Sequence, residues 1–357
     1  MLIVRPAASA FGLMAALLVF APVPAAGTAE EEIETCLACH GDAGLTKDLP
    51  DGRKISLHVD RDAIARSVHG RSLRCTDCHS GMVEVPHPER AAKTAEEFRS
   101  GFREACKPCH FDKYAQSLDG VHAKVLAAGN HAAPVCTDCH GAHDVAPAAK
   151  PRTRISDTCS ACHPDVADTY LKSVHGSALA RDGNRDVPIC TDCHRAHDIS
   201  DPRIESWLVK TPELCARCHT DAKMMGRYGL STNVVQSYLS DFHGVTATLT
   251  RSRHNDARSD VRVTALCIDC HGVHDIAKTG DARSPVLRAN LVKTCRKCHP
   301  TAGENFPDAW LSHYEPSWGK APAVHAVKVF YGVFIPFLIG GLCLQILLQL
   351  WRIVVNR

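Results

Sequence analysis

Eighteen of the 19 cysteines stand in nine runs of the form Cys-x-x-Cys-His. The pairs are Cys36 and Cys39, Cys75 and Cys78, Cys106 and Cys109, Cys136 and Cys139, Cys159 and Cys162, Cys190 and Cys193, Cys215 and Cys218, Cys267 and Cys270, and Cys295 and Cys298. Two cysteines at this spacing can each form a thioether to one haem vinyl group, and the adjacent histidine then reaches the iron from the same face. A disulfide framework gives no reason for a histidine after every second cysteine. Zinc ribbons take two Cys-x-x-Cys pairs per metal, and nine pairs leave one over. A thioredoxin-like redox motif would occur once, in a βαβ context that is absent. The spacing therefore implies nine covalently bound haem c groups, with His40, His79, His110, His140, His163, His194, His219, His271 and His299 as proximal iron ligands. Cys343, the one cysteine left, sits in an apolar stretch and reads as a small apolar residue.

Thirteen histidines remain, and nine recur in register with the motifs. His69, His122, His175 and His243 each open a repeat. His143, His197 and His274 follow the Cys-Thr/Ile-Asp-Cys-His motifs, and His313 follows the last motif. In the first repeat Met82 aligns with His143, while His87 follows within Val85-Pro86-His87-Pro88. Met82 and His87 compete there, and His87 keeps the ligand type uniform. These nine histidines are the candidate distal ligands, leaving His58, His131, His254 and His325 over. Two histidines per iron give a six-coordinate, low-spin centre without an open site, which suits electron transfer better than substrate chemistry. A histidine three residues past a proximal ligand cannot cross to the opposite face of its own haem. His143, His197 and His274 are therefore expected to serve other haems. No residue is singled out for catalysis.

The elements that position these ligands form four two-haem repeats behind a leading motif at Cys36. The opening histidines are spaced by 53, 53 and 68 residues, with the excess around Thr246–Val263. Such a period predicts a quasi-linear array in which each repeat packs on its neighbours. Pro164–His175, Thr232–His243 and Ala302–His313 read as short helices ending in a histidine, with Tyr170, Tyr238 and Trp310 at matching positions. Val145–Ser156 and Ser200–Thr211 read as loops rich in Pro, Asp and Arg. No segment alternates as a strand. The fold class is thus mainly α with extensive loops, packed around haem, plus one C-terminal transmembrane helix. With aromatics at only 6%, the core is expected to be largely porphyrin and the apoprotein largely unfolded. The formal charge of +2 argues against a nucleic-acid partner. Haem propionates would make the holoprotein acidic.

Arg5, the apolar run Phe11–Phe20 and the small residues Val23-Pro24-Ala25-Ala26-Gly27 read as a signal peptide over residues 1–25. Residues 26–323 then form the exported haem domain, and residues 324–357 an anchor with a short cytoplasmic tail. Val329–Leu350 is 22 residues without a charge, bracketed by Lys328 and Arg352 with Tyr331 and Trp351 at the interfaces. His325 stands at the membrane edge, where it either meets a quinol hydroxyl or is an interfacial residue without function. Gln345 and Gln349, four residues apart inside the span, call for a neighbouring helix.

The runs Cys36-Leu-Ala-Cys-His-Gly-Asp, Ser67-Val-His-Gly, Cys75-Thr-Asp-Cys-His, Val85-Pro-His-Pro, Ser173-Val-His-Gly and Cys190-Thr-Asp-Cys-His-Arg-Ala-His-Asp resemble multihaem c-type cytochromes of the cytochrome c3/paired-CxxCH group. The segment from His313-Tyr-Glu-Pro-Ser to the closing helix resembles haem c subunits that accompany a cytochrome b-type integral membrane subunit. The resemblance implies an electron-transfer subunit of a respiratory complex on the inner membrane. Its partners would be that quinone-reactive subunit and periplasmic carriers or reductases. The well-known tetrahaem quinol dehydrogenases carry an N-terminal anchor and fewer haems, and this chain departs from them. The competing reading is a multihaem reductase of nitrite, hydroxylamine or a sulfur oxyanion, which needs one open haem.

Overall fold

Glu30, Glu31 and Glu32 open the first helix, Ala29–His40, where negative charge suits the helix dipole. Thr28 caps it, accepting the Glu31 N–H at 3.3 Å, while the Glu31 carboxylate accepts the Thr28 N–H at 2.7 Å. The computed structural model describes residues 28–70, 72–147, 151–253, 264–309, 313 and 316–355. Residues 1–25, expected to be a signal peptide, His254, Trp310 and residues 356–357 lie outside the described residues.

Short helices dominate, as expected, and they gather into two compact units. The first runs through Phe98 and takes in Ala142–Ala146; the second comprises Arg99–Gly141 and Pro147–Arg357. The first unit also holds a small hairpin that the sequence reading missed. Thr46–Asp48 pairs antiparallel with Lys54–Ser56, Lys47 opposite Ile55. Three-residue strands are too short to show an alternating pattern, which is why none was legible.

Several helix boundaries differ from expectation. Pro164–Lys172 stops before the histidine, and Ser173 caps a second helix, Val174–Asp182, whose first turn contains His175. Likewise Val234–Leu239 ends early and His243 lies in the first turn of Phe242–Arg253. The described part of Ala302–His313 contains only a 3-10 turn at Phe306–Ala309. Within the expected loops, Arg152–Ser160 and Glu205–Leu208 are helical. Pro151, at the N-cap with extended backbone, starts the former, because proline is tolerated at a helix entry where its missing N–H is not needed.

Protein side chains bury little of one another. Leu266 is 1% exposed and packs with Tyr238 and Ala247, flanked by Leu208, Leu239 and Ile268. The C-terminal helix Pro322–Val355 has 34 residues and is long and apolar enough to cross a membrane; none of its apolar window is buried in the protein. At 1.5 Å per residue it is about 51 Å long, beyond the roughly 30 Å hydrocarbon thickness, so it extends past Val329–Leu350 on both sides.

Candidate haem centres

Four motifs fold as a single helical turn: Cys75–Cys78, Cys136–His140, Cys190–His194 and Cys267–His271. Their shared aspartate explains the shape. Asp77, Asp138, Asp192 and Asp269 each accept the backbone N–H of the residue before the first cysteine, at 2.7, 2.6, 2.7 and 2.7 Å. This cap holds the backbone between the two cysteines. The sequence reading left these aspartates without a role, although their recurrence in four motifs was the available signal. Arg99 pairs with Asp138, and Arg152 with Asp192 at 2.6 Å.

After the histidine of three of these turns the backbone swings to positive φ: 81° at Gly141, 64° at Arg195 and 82° at Gly272. Arg195, with ψ −172°, occupies a region that is essentially glycine-only and costs about 1–3 kcal/mol. Its ion pair to Asp198 at 2.8 Å is exposed and offsets little. Arg195→Gly is therefore expected to stabilise the holoprotein by about 1 kcal/mol. A denaturation midpoint that stays level or falls would refute the strain.

The histidine rings meet in pairs. His40 faces His87 and His79 faces His143, each with ring centres 6.1 Å apart. In the second unit the pairs are His122–His163 at 6.3 Å, His140–His197 at 6.1 Å and His175–His219 at 6.4 Å. His194–His274 follows at 5.9 Å, His243–His299 at 6.4 Å and His271–His313 at 6.1 Å. Each is one proximal candidate with one distal candidate. Two metal–imidazole bonds of about 2 Å, with about 1.1 Å from each nitrogen to its ring centre, separate two rings by about 6.2 Å. The residues thus fit an iron between each pair.

Hydrogen bonds orient the rings. The His40 Nδ1–H donates to the Leu57 carbonyl at 2.8 Å, and the His87 Nδ1–H to that of Glu84 at 2.7 Å. A ring that donates through Nδ1 leaves Nε2 as the ligand. The missed hairpin thus has a use, since Leu57 directly follows its second strand. Trp207 stacks on His194 at 5.4 Å. Burial pushes His79, His122, His143, His194, His197, His219, His271, His274 and His313 below the usual imidazole value, and His175 down to about 4. Neutral imidazole is the form that binds metal.

A rule governs the pairing. The histidine after a Thr/Ile-Asp motif faces the first proximal candidate of the preceding repeat: His143 with His79, His197 with His140, His274 with His194. His313 completes the series with His271. An opening histidine faces the second motif of its own repeat. The ring opposite His40 is that of His87, not the Met82 side chain. His69 and His110 stand in different compact units, and their spacing of 41 in the sequence equals that of His122 and His163.

The helices that carry consecutive motifs touch in pairs: Ala29–His40 with Cys75–Cys78, Arg103–Cys106 with Cys136–His140, Arg152–Ser160 with Cys190–His194, and Thr211–His219 with Cys267–His271. Cys136–His140 also touches Arg152–Ser160, which carries the next motif's first cysteine. Consecutive motifs are neighbours along the second unit. Of the leftover histidines, His131 bonds Ser100 Oγ at 2.9 Å. The His325 Nδ1–H donates to the Pro316 carbonyl at 2.8 Å, and Trp318 meets the same ring edge-on at 4.9 Å.

Nine attachment motifs with facing histidine pairs define a multihaem c-type cytochrome with an electron-transfer role. Residues 129–220, which hold the motifs at Cys136, Cys159, Cys190 and Cys215, match the family model for cytochrome c3. No curated protein and no solved structure matches the chain.

Proposed function

We propose that the chain is an exported, membrane-anchored relay of nine covalent haem c groups. It would exchange electrons between a quinone-linked membrane partner and periplasmic carriers or reductases. The observation that carries this reading is the set of eight facing histidine pairs, 5.9 to 6.4 Å between ring centres. When bound, haem supplies one-electron cycling at its iron. The paired rings would hold an iron from both sides and would leave no face open to a substrate. Contacts between the motif helices keep successive motifs adjacent, which a relay requires. The reductase reading needs an open face, and none of the eight pairs offers one.

Membrane placement rests on Pro322–Val355. Gly341, Leu344, Gln345, Leu348, Gln349 and Arg352 share one face of that helix, and its two glutamines want hydrogen-bond partners within the bilayer. A neighbouring helix of a quinone-reactive, cytochrome b-type subunit would supply them. His325, bonded to Pro316 and packed on Trp318, ties the first turn of this helix to the segment before it. That supports a structural use of the ring over contact with quinol.

Mass spectrometry of the denatured mature protein should show the chain plus nine haem masses, and the reduced native protein should bind carbon monoxide at none of them. A reproducible eight with one intact thiol pair would sink the count. Stoichiometric carbon monoxide binding would revive the reductase.

A further inference from the structure

The eight histidine pairs divide by ring orientation. Six hold their planes within 11° to 28° of each other. Two are strongly tilted, His175–His219 at 57° and His243–His299 at 50°. Both tilted pairs use an opening histidine followed by glycine, in a corner where two helices meet. A Cβ on Gly176 would lie 2.0 Å from the Tyr170 carbonyl oxygen, and one on Gly244 would lie 2.0 Å from that of Tyr238. Real side chains do not tolerate such contacts, so only glycine lets the corner close. A polar side chain fastens each: Ser173 Oγ accepts the Gly176 N–H at 3.1 Å, and Asp241 Oδ1 the Gly244 N–H at 3.0 Å. Tyr170 and Tyr238 anchor the preceding helix, donating to the Pro188 and Ala265 carbonyls at 2.5 and 3.0 Å.

The second repeat is the internal control. Ala123 follows its opening histidine, Gly120 caps the helix without a side-chain bond, and His122–His163 is tilted by only 20°. Gly120 answers a different need, since a Cβ there would meet the His197 carbonyl oxygen at 2.9 Å.

We propose that Gly176 and Gly244 are positioning residues that tilt His175 and His243, and so create a second electronic class of haem within the array. The inference rests on the reading of these pairs as axial ligands. Near-parallel imidazole planes split the two iron orbitals that share the unpaired electron of a low-spin ferric haem, and crossed planes bring them back toward equal energy. The first arrangement gives a rhombic paramagnetic resonance spectrum, the second a strongly anisotropic one with a larger maximal g. Ligand orientation set by surrounding groups is a general means of tuning a metal.

The test is low-temperature paramagnetic resonance of the fully oxidised nonahaem protein and three variants, with covalent haem counted in each. Wild type should show both low-spin classes. His175→Ala should take one haem's share from the strongly anisotropic class and convert it to a high-spin signal. His197→Ala should take its share from the rhombic class. Gly176→Ala should move one share from the anisotropic to the rhombic class with all haems attached and low-spin. A wild type that is low-spin but wholly rhombic would overturn the tilt while sparing the ligand pairing. High-spin iron in the wild type would instead overturn the pairing. An unchanged spectrum in fully loaded Gly176→Ala would remove the glycine's role. Should that variant lose haem, the two histidine deletions decide between the classes.

Discussion

Removing everything after Lys320 releases a water-soluble cytochrome that keeps its covalent haems and takes electrons from dithionite, but no longer from membrane quinol. That is the expected result, for two reasons. Every attachment motif and every paired histidine precedes the cut, His313 being the last. What is lost is the helix Pro322–Val355, whose apolar side chains are exposed along its length. A single helix cannot enclose a quinone, and this one contributes no histidine within Val329–Leu350, so on the proposed function reduction by quinol would pass through a partner docked by the helix. The measurement is membrane fractionation followed by reduction of the haem absorbance with quinol and with dithionite. Quinol-driven reduction at the native rate in the truncated protein would remove both the docking role and the quinone link.

The second large effect concerns folding. Exported into a compartment that cannot attach haem, the chain should show no cooperative unfolding transition and should be digested readily by protease. Ordering costs about 1–2 kcal/mol for each residue. A fully buried apolar side chain returns about 2 kcal/mol, and buried apolar side chains are sparse along the described residues. Leu266, Tyr238 and Ala247 form a small cluster beside the motif at Cys267, and residues such as Phe242, 92% exposed, bury nothing against protein. The attached porphyrins must supply the missing apolar contact, as metal does in small metal-dependent domains. A haem-free chain with a sharp thermal transition in its far-UV circular dichroism would show that the protein core suffices.

The chemistry was legible in the sequence to a degree the geometry was not. Cys-x-x-Cys-His is a local motif, so the candidate proximal ligands could be read directly, and recurrence picked out candidate distal histidines, eight of which face a motif histidine. The partner of each distal histidine could not be read, because His143 meets His79 across a repeat boundary and only the tertiary fold decides that. Helix ends were misplaced at His175 and His243 for a related reason. A serine or aspartate cap in mid-pattern restarts the helix without any break in composition. The caps at Asp77, Asp138, Asp192 and Asp269 were visible as a repeated letter, but the cysteine signal around them was strong enough to hide it.

A backbone bond that recurs three times limits how such a chain can be shortened or lengthened. The Val68 N–H donates to the Val145 carbonyl at 2.9 Å, that of Val121 to Ile199 at 2.7 Å, and that of Val174 to Ile276 at 2.7 Å. Each bond latches the corner of one repeat to the segment just past the second histidine of the next. It explains why Ala142–Ala146 clusters with the first compact unit, where His143 faces His79. Because latch and ligand pass forward together, the natural module is a full period and not a pair of neighbouring motifs. Excising residues 122–174 would join Val121 to His175 and present the same corner to Ile199's successor at Ile276, leaving seven motifs in an unbroken hand-off. Excising a stretch that is not a whole period would leave a histidine without the facing histidine that the repeat supplies. Gene duplication and loss within this chain are thereby confined to whole steps of the repeat.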